Sequence, residues 1–102
     1  MIVVDASAMT EFLLQTQLGM RVESRVMRDG DELHAPHLLD VEVAQALRRL
    51  VRTGEVAASR AEKALADLSD LDLRRHAHVD FLGRAWDLRT NRRHSVRIEV
   101  IR

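Results

Sequence analysis

Apolar and polar positions in this chain follow two periods, and the changes between them mark out the elements. Ile2, Val3 and Val4 form an unbroken β-branched run, the pattern of a strand covered on both faces inside an α/β sheet. The run stops at Asp5, and the small residues Ala6, Ser7 and Ala8 follow. Ser7 is placed to cap a helix carrying Met9, Phe12 and Leu13 along one side. Leu18, Val22 and Val26 then recur every fourth residue among Arg21, Glu23, Arg25 and Arg28, which predicts a second short amphipathic helix ending at Asp29-Gly30-Asp31. Glu32-Leu33-His34-Ala35 leaves room only for a short strand before Pro36.

The clearest helical period runs from Leu38 to Arg52, where Leu39, Val43, Ala46, Leu47 and Leu50 form one stripe and Gly54 stops it. At about 100° per residue, Glu42 borders that stripe on the side of Gln45 and Arg49. Asp40 borders the opposite side, so Asp40 and Glu42 are not expected to share a site. Ser59-Arg60-Ala61-Glu62 fits the capping box of a further helix, with Ala61, Ala64, Leu65 and Leu68 facing inward. Leu71-Asp72-Leu73 alternates as a strand, and Arg74-Arg75-His76-Ala77-His78 follows. A last helix is predicted over residues 79–90, offering Phe81, Leu82, Ala85, Trp86 and Leu88 to the core. In the tail, Val96, Ile98 and Val100 alternate with Arg97 and Glu99, as in a strand with one apolar face. The order strand, two helices, strand, two helices, strand, helix implies a parallel sheet joined by helical crossovers.

At 102 residues the chain is read as one domain. Hydrophobic residues make up 46% and aromatics 3%, so the core must come from Leu, Val, Ala and Met, which suits helices on a small sheet. With no cysteine, disulfides, thiolate nucleophiles and zinc-thiolate sites are excluded together. No apolar run has the length of a signal or membrane segment, and the expectation is a soluble, cytoplasmic protein without a membrane partner. Acidic and basic residues balance at 16 each, so any case for a nucleic-acid partner must be local. Lys63 is the only lysine. The arginine bias suits phosphate recognition, yet it is also what a GC-rich genome writes.

Asp5 falls at the carboxyl end of the first strand, where open α/β sheets bind ligands. An Asp at such a junction also serves as a turn or cap residue. Glu42 comes from a different element and sits at the edge of an apolar surface; the alternative for it is a solvated helix residue paired with Arg49. Two carboxylates converging at a strand's end suit Mg²⁺ or Mn²⁺, which activate water and neutralise charge developing on a phosphodiester. His76 and His78, two apart, share one face of a strand and offer either a metal pair or two exposed side chains. Arg48, Arg49 and Arg52 make a basic helix face, either for RNA phosphates or for solvent. The sequence holds no Gly-rich phosphate loop, no defensible Ser-His-Asp grouping and no aromatic platform for bases.

Three blocks, Val3-Val4-Asp5-Ala6-Ser7-Ala8, Ala35-Pro36-His37-Leu38-Leu39-Asp40-Val41-Glu42-Val43-Ala44-Gln45-Ala46-Leu47 and Arg84-Ala85-Trp86-Asp87-Leu88-Arg89-Thr90-Asn91, resemble consecutive blocks of PIN-domain ribonucleases, specifically the VapC toxins of VapBC toxin–antitoxin pairs. The resemblance runs from Met1 to about Asn91. It implies a PIN-like three-layer α/β fold, a short parallel sheet flanked by helices, over residues 1–91, with residues 92–102 a divergent tail. It also implies a metal-dependent endoribonuclease with Mg²⁺ or Mn²⁺ at Asp5 and Glu42 and with Ser7 close by. A VapB-type antitoxin covering the active site, and a homodimer, are the partners implied besides RNA.

The family's remaining acids belong to an Asp-Ala-x-Tyr block and to sheet residues beyond it, and neither has a counterpart here. The C-terminal helix and strands are therefore expected to be missing through truncation or frameshift after about Asn91. Asp87 comes one helix too early to replace an absent acid, and Glu99 needs the tail to fold back onto the site. Three outcomes stay open: a Mg²⁺-dependent RNA endonuclease, a catalytically dead remnant that still binds an antitoxin, and a decayed gene product.

Overall fold

A computed structural model describes residues 2–30, 32–77 and 99–101. In chain order these form β1 (Ile2–Val4), α1 (Ala6–Leu14), α2 (Gln17–Asp29), β2 (Leu33–Pro36), α3 (Leu38–Arg52), α4 (Ala58–Asp70), β3 (Leu73–His76) and β4 (Glu99–Ile101). The strands make one sheet in the order β3-β2-β1-β4. Every pairing is parallel, with Ile2 opposite Leu33 on one side and opposite Glu99 on the other. The described chain is thus α/β with helical connections from β1 to β2 and from β2 to β3, as the alternation of periods predicts. The predicted helix over residues 79–90 and His78 lie outside the described residues.

β1 is an interior strand and all three of its residues are buried, which is why its sequence shows no polar alternation. α1 lies against α2, α3 and α4. The core joins Ile2 and Val4 of the sheet to Met9 of α1 and to Leu39, Val43 and Leu47 of α3, all of them fully buried. Each such side chain contributes roughly 1.5–3 kcal/mol of transfer free energy, so α3 is held mainly by the stripe that the sequence shows.

Several local expectations are corrected. Asp5, not Ser7, caps α1: its Oδ1 accepts from the Ala8 amide at 2.9 Å, while Ser7 is already helical. The Ser59 capping box does not form, because α4 begins at Ala58 with Ala57 as a cap that makes no side-chain bond. Ala58 has high helix propensity, so the helix begins before Ser59 and takes it in. β3 is Leu73–His76 rather than residues 71–73, because parallel pairing with β2 selects the register Leu33 to Leu73. Leu18 and Leu65, assigned inward, are 48% and 37% exposed; each lies at the edge of its stripe. Of the predicted tail strand, Glu99 and Val100 lie in β4, which joins the sheet beside β1, while Val96, Arg97 and Ile98 lie outside the described residues.

Candidate functional site

β1 delivers Asp5 to the carboxyl end of an interior strand. The chain leaves the sheet there in an extended conformation, with φ −84° and ψ 169°, and turns at once into α1. The Ala8 amide occupies Oδ1 of Asp5, and no group among the described residues donates to Oδ2. A carboxylate at this helix start also lies in the positive end of the helix dipole. Turn and site readings of Asp5 are therefore compatible: one oxygen caps, and the other is open.

α3 delivers Glu42. Its neighbour Val43 is completely buried, and rotation by one residue turns Glu42 to the rim. The start of α3 is fixed from β3: the His37 amide donates to the His76 carbonyl at 2.8 Å. The Arg75 guanidinium grips Asp40 through Nε at 2.7 Å and Nη2 at 3.0 Å. Asp40 thus braces α3 on the side away from Glu42, as the helical angle predicts.

Asp5, Ser7 and Glu42 line one open cleft of about 500 Å³, together with Ala6, Thr10, Glu11, Gln45, Ala46, Arg49 and Leu50. The Glu42 side chain makes no hydrogen bond or ion pair among the described residues, including to Arg49. The Thr10 hydroxyl is buried and donates to the Ala6 carbonyl at 2.7 Å. Glu11 is a residue that reading the sequence missed. Its carboxylate accepts from the Thr16 hydroxyl, and Thr16 in turn caps α2 by accepting from the Gly19 amide at 3.0 Å. The available signal was its spacing: Ser7 and Glu11 are four residues apart on one helix face.

The lining donors are carboxylate and hydroxyl oxygens, hard ligands that fit Mg²⁺ or Mn²⁺ and not a soft metal. Among the described residues, no three His, Cys, Asp or Glu side chains group closely enough to hold a metal ion. Mg²⁺ needs no such cage, since it keeps several waters and binds through one or two carboxylates. Asp5 and Glu42 fit that mode.

The other candidates separate from this cleft. Arg49 lines it, whereas Arg48 and Arg52 line a different groove between α3 and α4. His76 pairs with His34: Nδ1 of His34 lies 2.7 Å from Nε2 of His76, with the rings stacked at 5.0 Å; its candidate partner His78 lies outside the described residues. His34 is buried, and burial, then the neighbouring His76, push its pKa below the usual 6.5. Asp87 lies outside the described residues. The backbone of β4 runs parallel to that of β1 and sets Glu99 opposite Ile2. That is the amino end of the sheet, about 10 Å along the strand from Asp5.

Among the described residues, the sheet is all-parallel and an acidic cleft opens at the carboxyl end of an interior strand, the place where open α/β sheets bind ligands. No family model matches the chain, but individual relatives do. The chain is 36% identical over 91 residues to ribonuclease VapC9 of Mycobacterium tuberculosis, covering 89% of this chain and 68% of that protein. It is 36% identical over 90 residues to ribonuclease VapC12 of the same organism, covering 88% and 68%, and 36% identical over 89 residues to its ribonuclease VapC3, covering 86% and 64%. The chain belongs to the VapC ribonuclease family, the PIN-domain toxins of toxin–antitoxin systems. Among the described residues, no helix is long and apolar enough to cross a membrane.

Proposed function

We propose that this protein is a VapC-type endoribonuclease that hydrolyses RNA phosphodiesters with Mg²⁺, or Mn²⁺ in its place, held by Asp5 and Glu42. One observation carries the reading: carboxylates from two separate elements line a single open cleft at the carboxyl end of β1. A divalent cation bound there activates water and neutralises charge on the phosphate. The chain's own residues supply its place. Asp5 offers Oδ2 while its cap bond through Oδ1 fixes the carboxylate plane. Glu42 is held at the rim by the buried Val43 and by the Arg75 clamp on Asp40. Ser7 adds a hydroxyl beside them.

VapC toxins pair with VapB antitoxins, and we extend that partnership, and a homodimer, to this chain. The exposed apolar side chains Leu38 and Val41 on α3 and Leu65 on α4 are surface that such contacts cover. A second reading, an antitoxin-binding protein without catalysis, is favoured by the same exposed apolar side chains, which a partner covers whether or not the cleft is active.

The deciding experiment incubates purified protein with a structured RNA and Mg²⁺ or Mn²⁺, beside Asp5→Ala and Glu42→Ala. Metal-dependent cleavage lost in both variants is expected. Cleavage indifferent to both substitutions, or to chelation, sinks the assignment; binding to an antitoxin with no cleavage selects the second reading.

A further inference from the structure

We infer that Arg49 is the cation of the acidic cleft that binds an RNA phosphate, and that Arg48 and Arg52, in the same helix turn region, are not. The inference rests on the ribonuclease reading and adds to it the group that receives the polyanion. Its basis is the way α3 divides a basic run that looks uniform in sequence. Arg49 lines the cleft with Asp5 and Glu42, while Arg48 and Arg52 line the groove towards α4 with Ala61, Glu62 and Leu65.

Three features fit Arg49 to that role. It is exposed and, among the described residues, its side chain makes no hydrogen bond or ion pair, so its guanidinium is available to a ligand. A cleft carrying Asp5, Glu11 and Glu42 repels a nucleic acid unless a fixed cation offsets part of the charge, and among the described residues Arg49 is the one basic residue that lines it. Its planar fork suits two phosphate oxygens at once. The spacing identifies which phosphate. Arg49 is seven residues from Glu42 on the same helix face, about 10 Å along the axis, so it meets a phosphate flanking the one at the carboxylates. The substrate this predicts is a strand several nucleotides long, with Arg49 contributing to binding and not to the chemical step.

Arg49 also lies in the last turn of α3, where any cation favours the helix dipole. Arg52 shares that position and Arg48 is adjacent, so both serve as controls for a merely structural role. The experiment uses the full chain, EDTA to prevent cleavage, and a short fluorescein-labelled single-stranded RNA, with anisotropy read across a series of NaCl concentrations. Arg49→Gln is expected to weaken binding and to reduce the magnitude of the slope of log K against log [salt] by about 0.7, the loss of one phosphate contact on a single strand. Arg49→Lys keeps the slope because it keeps the charge, and Arg48→Gln and Arg52→Gln match the wild type. A wild-type slope in Arg49→Gln, or an equal fall in all three glutamine variants, overturns the assignment. Mn²⁺ titration of the wild type against Asp5→Asn runs in parallel. Metal binding through Asp5 together with a wild-type slope in Arg49→Gln removes the arginine role alone; absence of both metal and RNA binding removes the arginine role and the ribonuclease reading together.

Discussion

Gly19 is where a single methyl group would do most damage. It sits in the first turn of α2 against α1, and a Cβ placed there would lie 1.9 Å from the Glu11 carbonyl oxygen, 2.5 Å from its carbon and 2.9 Å from the Phe12 Cα. All three are backbone atoms, so no rotamer change relieves the contact. The helices must move apart by at least about 1 Å to bring the closest approach out to the 3.0 Å below which real Cβ contacts essentially do not occur, in an interior that is close-packed. Two effects oppose each other in Gly19→Ala. Helix propensity favours alanine by about 1 kcal/mol. Overpacking costs about 1–3 kcal/mol or more, and separating the helices also strains the cap, in which the Gly19 amide donates to Thr16 and Thr16 to Glu11, worth about 1 kcal/mol. The clash wins, for a net loss of about 1–3 kcal/mol. Urea unfolding followed by far-UV circular dichroism should show a lower midpoint at unchanged m-value, and Tm should fall by roughly 4–8 °C per kcal/mol. Gln17→Ala, at an exposed position of the same turn, should stay within about 0.5 kcal/mol of the wild type. A Gly19→Ala protein about 1 kcal/mol more stable would refute the reasoning, since propensity alone would then account for the result.

The remaining predictions address the site and its supports. Asp5→Asn should keep the helix cap and hence stability, whereas Asp5→Ala should lose about 0.5–2 kcal/mol. Both should weaken Mn²⁺ binding tenfold or more, about 1.4 kcal/mol, and equal Mn²⁺ affinity by calorimetry would remove Asp5 from the ligands. The bidentate contact of Arg75 with the partly exposed Asp40 should give a coupling of about 1 kcal/mol in a double-mutant cycle with Asp40→Ala and Arg75→Ala; strictly additive losses would show that it does not brace α3. His34 has a folded-state pKa lowered by burial and then by His76, so it takes up its proton less readily folded than unfolded. Its contribution is fully present above the unfolded value of 6.5 and is lost as pH falls below that towards and through the folded value. Denaturation midpoints should therefore drop on acidification from pH 8 to about pH 5, and His34→Gln should flatten that slope; an unchanged slope would place the titration elsewhere.

Local periodicity determined most of the elements. The apolar run Ile2-Val3-Val4 has the pattern of the interior strand it forms, and the stripe of Leu39, Val43 and Leu47 yields α3 over Leu38–Arg52 with Glu42 and Asp40 on opposite borders. Those signals are legible because burial is periodic and because one element contains the whole pattern. Properties that depend on a second element were not legible. Whether Asp5 or Ser7 caps α1 turns on where the chain leaves the sheet. Where β3 begins turns on its register with β2. Glu99 joins the sheet at its amino end through pairing with β1, a distance that no reading of the tail alone supplies. His34 and His76 meet across neighbouring strands although 42 residues separate them. The cleft shows the same division: helical angle put Glu42, Gln45 and Arg49 on one face, but only the packing of α3 against α1 brought that face to Asp5 and added Glu11. Sequence spacing specifies direction within an element, whereas convergence between elements is a property of packing, which many distant residues decide together.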